Sequence, residues 1–315
     1  MSTETASGHH LSTPHPALST RNRLSAWLDR EDVLGYILVA PVALVVLGFL
    51  AYPFGLALWL SLTDKVIGGD AHYVGLQNYE RIWQNGIFQG AVRNTLIFTA
   101  SSIAAKLPIG FALALLLNEK IRFRKAFRSA VLLPWIIPTV LSAMAWLWLY
   151  NPNFSILNYV IANLGLGRGI RWLTDPNIAL FSVVLVNVWR GTPFYAITLL
   201  AGMQAIPNEL YEATSIDGAN RWQRFRHVTL PLVMPIMLIT LLLSTIGTFS
   251  DFATIYSITG GGPMNATQVI STYSYGTALG AGRMGEGAAI SLTMFPFLMV
   301  MMIWEIRWLM KRQSA

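Results

Sequence analysis

The sequence predicts an all-α polytopic membrane protein with six transmembrane helices. Three observations predict it. The chain is 54% hydrophobic and only 12% charged, with eleven Trp and a mean hydropathy of +0.50, far too apolar for a soluble domain of 315 residues. Six segments reach the length of about 20 mostly apolar residues that a helix needs to cross a hydrocarbon core about 30 Å thick. The Lys and Arg residues gather in alternate loops between those segments.

The elements follow in chain order. Residues 1–32 are rich in Ser, Thr and His without an apolar run, so they read as a flexible cytoplasmic tail rather than a secretory signal or folded domain. Residues 33–315 form one six-helix domain whose spans are predicted at 33–62, 94–117, 130–150, 178–204, 232–256 and 288–308. Fourteen basic residues fall on one side: Arg21, Arg23 and Arg30; Lys120, Arg122, Arg124, Lys125 and Arg128; Arg221, Arg224 and Arg226; Arg307, Lys311 and Arg312. The other side holds Lys65, Arg81, Arg93, Arg168, Arg171 and Arg283. Because basic loops stay cytoplasmic, both termini are expected in the cytoplasm. The net charge of +7 is thus assigned to topology and anionic headgroups rather than to nucleic acid.

Composition also excludes chemistry. There is no Cys, which removes disulfides, thiol catalysis and Cys-based metal sites. His9, His10 and His15 lie in the leader and His72 and His227 outside the spans, so no metal centre is expected.

Between the fourth and fifth spans, residues 205–231 form a charged, glycine-split cytoplasmic insert. Asn208 is placed to cap a short helix whose first turn carries Glu209 and Glu212, favourable beside the positive helix end. Gly218 breaks the run. Behind it, 219–228 reads as a second helix with Trp222, Phe225 and Val228 at a spacing of three, ended by Leu230-Pro231, which opens the fifth span. The residues alone leave two readings open: an amphipathic segment lying on headgroups, or a docking surface for a protein partner.

Here the residues carry a resemblance. Glu212-Ala213, Asp217-Gly218-Ala219, Trp222, Phe225 and Thr229-Leu230-Pro231 resemble the EAA motif of permease subunits of binding-protein-dependent ABC importers, with Thr214 standing where a second Ala is usual. Val74 to Tyr79, Asn94-Thr95, Leu115 to Asn118, Leu133-Pro134-Trp135 and Gly260-Gly261-Gly262-Pro263 are similar to landmarks of the carbohydrate-uptake branch, the one with the maltose and glycerol-3-phosphate permeases. The match runs from about residue 33 to the end. The resemblance implies the type I ABC importer permease fold and makes the insert a coupling helix that docks in a cleft of an ATPase subunit. It also implies a second homologous permease, two ATPase subunits and an extracytoplasmic solute-binding protein as partners.

The chain carries no fuel site of its own. No G-x-x-x-x-G-K-[ST] loop occurs, and no Gly is followed by Lys anywhere. ATP and Mg are therefore expected on the ATPase subunits, and no cofactor on this chain. No catalytic constellation is visible either. The glycine run at 260–263 is expected outside the membrane, as a turn or a contact with the binding protein.

Ionisable residues inside spans are costly and usually functional, and Lys106, Arg190 and Asp251 stand out. Asp251 is placed to accept hydrogen bonds from sugar hydroxyls while Phe249 or Phe252 stacks on the apolar ring face; its other reading is a structural ion pair with Arg190 or a partner subunit. Arg190 reads as a structural or gating partner, and Lys106 faces either the second permease or water in the path. Trp135, Trp146, Trp148 and Trp189 read as interface or packing residues. The resulting expectation is alternating-access import of an oligosaccharide or related polyhydroxylated solute. The alternatives are a self-contained ion-coupled sugar carrier using Asp251 and Arg190, and a membrane scaffold that merely binds an ATPase. A carrier would need no coupling insert and would usually show internal repeats.

Overall fold

A computed structural model describes residues 31–119, 122–167 and 169–313. The leader, apart from its last two residues, and Lys120 and Arg168 of the charge map lie outside the described residues. The chain divides into two compact units, 1–56 and 57–315. The described part of the first lies in one apolar helix, α1, which runs Glu31–Ser61, its last five residues belonging to the second unit.

The second unit contains α2 (Gln77–Trp83), α3 (Gly86–Asn118), α4 (Arg124–Ile136), α5 (Thr139–Leu149), α6 (Ile156–Asn163), α7 (Pro176–Gln204), α8 (Asn208–Ile216), α9 (Arg221–Phe249), α10 (Ala253–Thr259), α11 (Ile270–Tyr275) and α12 (Met284–Gln313). Among the described residues there is no β-strand, only one isolated bridge, Thr63 to Tyr73. Five helices are long and apolar enough to cross a membrane, and a sixth span is counted if α4 and α5 are taken together. That agrees with the all-α, six-span expectation.

The third span is broken rather than straight: α4 and α5 meet at 92°. The cause is local. Pro138 drives the preceding residue out of the helical region, and Ile137 is extended at φ −63°, ψ 130°. The fifth span departs in the opposite sense. Leu230-Pro231 does not end a helix; α9 runs unbroken from the insert into the span through a π turn at Phe225–Thr229. Proline lacks an N–H and its ring crowds the carbonyl four residues back. The wider turn relieves this, with the Leu230 N–H reaching the Phe225 carbonyl instead. A π turn at Leu47–Ala51 likewise precedes Tyr52-Pro53 in α1.

The same span ends early. α9 stops at Phe249, and Ser250-Asp251 forms a break before α10, so Asp251 sits at a helix interruption rather than inside a continuous span.

α3 and α7 make the most extensive helix pair. They approach so closely at Gly110 that any side chain there would overlap Tyr195 Cβ and press the Ala196 nitrogen at 3.3 Å. One core cluster joins them to α9 through Phe111, Leu117, Tyr195, Leu199, Val233 and Met237. A second packs Phe98, Ala143, Tyr150, Trp172, Val183 and Ile255, and a third packs Ile82, Phe88, Phe249, Ile270 and Ile290.

The loops between spans are tied down by polar side chains. Asn78 Nδ2 donates to the Ser61 and Thr63 carbonyls, both at 2.8 Å. Asn94 Nδ2 donates to the carbonyls of Ala266 (3.1 Å) and Gln268 (3.0 Å), and Thr95 Oγ1 accepts from the Ile270 N–H. The glycine run is therefore a turn held onto α3, with Gly260 at φ +59° and Gly261 at φ +95°. In the loop after α1, the His72 backbone N–H donates to the Asp64 carboxylate at 2.8 Å and holds that carboxyl below its usual range.

Candidate functional site

Two places gather the residues singled out above. The first is the insert. α8 begins at Asn208, which lies inside the helix; Pro207 precedes it and no side chain caps it, contrary to the expectation for Asn208. The C-terminus is better defined. The Gly218 N–H bonds the Ser215 carbonyl and the Ala219 N–H bonds the Thr214 carbonyl, the paired bonds of a Schellman cap, with Gly218 left-handed at φ +77°. Asn220 and Gln223 then form a capping box that starts α9.

The three aromatic positions of the insert separate by role. Trp222 stacks on Phe225 with ring centroids 5.4 Å apart and remains 65% exposed. Phe225 meets Phe111 edge-on at 5.4 Å and packs, partly buried, against the first core cluster, to which Val228 belongs. Tyr211 O–H and Thr229 Oγ1 are hydrogen-bonded at 3.0 Å, and Arg224 donates to Ser215 Oγ at 3.0 Å, so the two helices of the insert are cross-braced. Glu212, Ala213, Asp217 and Gly218 are left exposed, with Ala219 half-buried, and Pro231 lies at the start of the transmembrane part of α9.

The second place is a cavity of about 350 Å³ between α3, α4, α7 and α9, lined chiefly by Lys106, Asn187, Arg190, Phe194, Thr248 and Asp251. Lys106, only 3% exposed, donates from Nζ to Thr248 Oγ1 at 2.9 Å. Gly191 makes room for it, since a Cβ there would lie 2.6 Å from Lys106 Cε. Arg190 donates to Thr139 Oγ1 at 2.8 Å. The Asp251 carboxylate accepts from Asn187 Nδ2 at 2.8 Å and from the Thr254 N–H at 3.1 Å, so it also caps the first turn of α10. Among the described residues no ion pair joins Asp251 to Arg190 or Lys106, so the structural pair with Arg190 is not formed.

The structure divides the two phenylalanines proposed for stacking. Phe249 is buried in the third core cluster, because the last turn of α9 points it at Phe88 and Ile270's layer and away from the cavity. Phe252 closes the break as the N-cap residue of α10 and is stacked on Tyr256. Asn187 was absent from the sequence-derived set although it precedes Arg190 by three positions, which puts both on one face of α7. Trp135, read as an interface residue, also reaches the cavity wall. Glu305 was missed too: a carboxylate in the sixth apolar run, only 8% exposed, it accepts from Thr245 Oγ1 at 2.5 Å. Its signal was a lone acid in that run.

Such a bundle, with a polar cavity among its spans and a braced polar insert at one end, defines a membrane transport subunit. The chain belongs to the family of binding-protein-dependent transport system inner membrane components, whose model matches residues 106–312. It is 38% identical to the trehalose/maltose transport system permease protein MalF of Thermococcus litoralis over 276 residues, 87% of this chain and 93% of that protein. The sulfoquinovosyl glycerol transport system permease protein SmoG of Agrobacterium fabrum is 32% identical over 88% of this chain and 91% of its own length. The trehalose transport system permease protein SugA of Mycobacterium tuberculosis is 35% identical over 84% and 85%. Among solved structures, a chain of a bacterial ABC transporter that imports the acidic polysaccharide alginate superposes with a TM-score of 0.79 at 26% identity, covering 92% of this chain and 99% of its own. A second structure of an alginate ABC transporter, in complex with a periplasmic protein bound to an alginate pentasaccharide, matches equally well, at a TM-score of 0.79. The chain is thus a multi-pass inner-membrane permease and not an enzyme.

Proposed function

We propose that this chain is a permease subunit of an ATP-driven importer for an oligosaccharide or related polyhydroxylated solute, working by alternating access. The observation that carries this reading is the cavity. It sets amide, hydroxyl and charged groups from α3, α7 and α9 around a space of about 350 Å³ inside an otherwise apolar bundle. The relatives named for trehalose, maltose and sulfoquinovosyl glycerol support a carbohydrate cargo. The partners are a second homologous permease, two ATPase subunits that hold ATP and Mg, and a solute-binding protein on the outer face. A loaded binding protein docks outside, ATP binding closes the ATPases, and Glu212, Ala213, Asp217, Gly218 and Ala219 transmit that closure through α9 to the cavity. The ion-coupled carrier leaves the exposed insert and the family membership unexplained.

Asp251→Asn tests the cavity. The amide still accepts from the Thr254 N–H, so α10 stays capped, but the charge that orients Asn187 is gone. Sugar uptake by the intact complex should fall about tenfold, as for loss of a charge-assisted contact, with complex assembly unchanged. Loss of the partner subunits in this variant would make Asp251 structural instead.

Orientation is proposed from the basic loops: both termini and the insert in the cytoplasm. Reporters fused after residue 10, near Arg124 or after Arg312 should read cytoplasmic, and those near Gly75, Gly165 or Gly261 external. An external signal near Arg124 contradicts the map.

A further inference from the structure

We propose that Phe252, Tyr256 and Tyr275 form a stacking platform for the apolar face of a pyranose ring at the extracytoplasmic mouth of the cavity. This rests on the carbohydrate-import reading above and adds a contact site to it. The three rings touch one another: Phe252 lies 4.8 Å from Tyr256 at an interplanar angle of 18° and 4.8 Å from Tyr275, and the two tyrosines are 5.0 Å apart. The cluster is not core. Tyr256 is 46% and Tyr275 38% exposed, so part of each side chain is open to a ligand.

Its position is fixed relative to the cavity by three links. Phe252 follows Asp251, whose carboxylate lines the cavity wall. The Thr254 N–H binds that carboxylate and so sets the first turn of α10, which carries Tyr256. Ser271 Oγ donates to the Asp251 carbonyl at 3.2 Å, and Tyr275 lies one turn further along the same face of α11. The break after α9 therefore hands a solute from an aromatic patch directly to the polar groups beneath it.

The chemistry suits a sugar in transit. A pyranose has a C–H face that packs on aromatic carbon and an equatorial rim of hydroxyls that matches phenol oxygens, so the near-parallel Phe252 and Tyr256 rings, with Tyr275 tilted against them at 49° and 67°, offer both kinds of contact. Stacking is broad and weak, which permits release into the cavity, as a conducting path requires. Tyrosines that only anchor a helix at the membrane surface face lipid separately; here two of them converge on the residue beside Asp251.

The test uses the whole reconstituted complex in vesicles with radiolabelled saccharides, beginning with trehalose and maltose. The double variant Tyr256→Leu/Tyr275→Leu should lower transport at saturating loaded binding protein about tenfold or more. ATP hydrolysis stimulated by the loaded binding protein should stay near the wild-type rate, so the ATP consumed per sugar rises. Tyr256→Phe/Tyr275→Phe keeps the rings and should retain most transport. Unchanged transport by the leucine variant overturns the platform. So does joint loss of assembly and stimulated hydrolysis, which would make the cluster a subunit contact or a membrane anchor. A wild-type complex that carries no saccharide at all would remove the functional reading itself, an outcome distinct from failure of the platform alone.

Discussion

Glu212→Ala and Gly218→Val should each insert normally into the membrane and yet abolish most coupled transport. The spans and the positive charge of the insert are untouched, so insertion has no reason to fail. Glu212 stands on the exposed side of α8; in the proposed docking, its loss removes a charge-assisted hydrogen bond to a basic group of the ATPase cleft and leaves that group unpaired. A contact of that kind is worth about 1.5–3 kcal/mol, or about ten- to a hundredfold in docking. Gly218 acts differently. It meets nothing within 4 Å where a Cβ would stand, so valine causes no clash, but its φ of +77° costs an L-residue about 1–2 kcal/mol, and more with a branched side chain. The Schellman cap then opens, and the angle between α8 and α9 is lost. Gly218→Asn separates the two effects, because asparagine tolerates the left-handed region and should restore much of the coupling. The measurements are sugar uptake and substrate-stimulated ATP hydrolysis in the reconstituted complex, with hydrolysis by the isolated ATPases as the invariant. Full coupling in both variants would return the insert to an amphipathic segment resting on headgroups.

The spans were legible because length and apolarity are local properties. α1, α3, α7 and α12 fall within a few residues of their expected ends, apart from about two extra turns at the start of α3, where Asn85 caps the helix through the Ile87 N–H. Proline was the ambiguous letter. At Pro138 it breaks a helix by 92°, while at Pro231 it sits inside an unbroken one. Pro108, Pro193 and Pro235 also sit inside unbroken helices, with no π turn directly before them, so the letter alone does not say which proline breaks a helix. The cavity was half legible. Lys106, Arg190 and Asp251 announce themselves as charges in apolar runs, but which groups they face depends on how α3, α7 and α9 cross. Hence Asn187 and Thr248 were missed as partners. Phe249 was misplaced for a related reason: the interruption at Ser250-Asp251 turns Phe249 and Phe252 in different directions, whereas a continuous helix would hold them together.

That crossing is also where the largest loss of stability is expected. Gly110→Val should prevent the bundle from packing. On α3, the added carbon would overlap Tyr195 Cβ and crowd two backbone atoms, the Ala196 nitrogen at 3.3 Å and the Thr192 carbonyl oxygen at 3.4 Å. None of these is the far end of a flexible side chain, and Tyr195 is fully buried, so relief requires α3 and α7 to separate. Overpacking a filled core costs about 1–3 kcal/mol, and a β-branched residue at a helix crossing belongs at the upper end or above. The damage reaches the cavity as well. Lys106 lies one turn from Gly110 on α3, and Gly191, which makes room for it, lies one turn from Tyr195 on α7. Gly90→Ala supplies the contrast: it is on the same helix with nothing within 4 Å, so replacing it should be neutral or stabilise the helix by up to about 1 kcal/mol. Thermal unfolding of the purified complex and the yield of assembled complex report the difference. Gly110→Val should lose several degrees or fail to assemble, and Gly110→Ala should fall between it and wild type. An unfolding temperature for Gly110→Val equal to that of wild type would mean that α3 and α7 do not cross at this glycine, and the cavity built on that crossing would have to be redrawn.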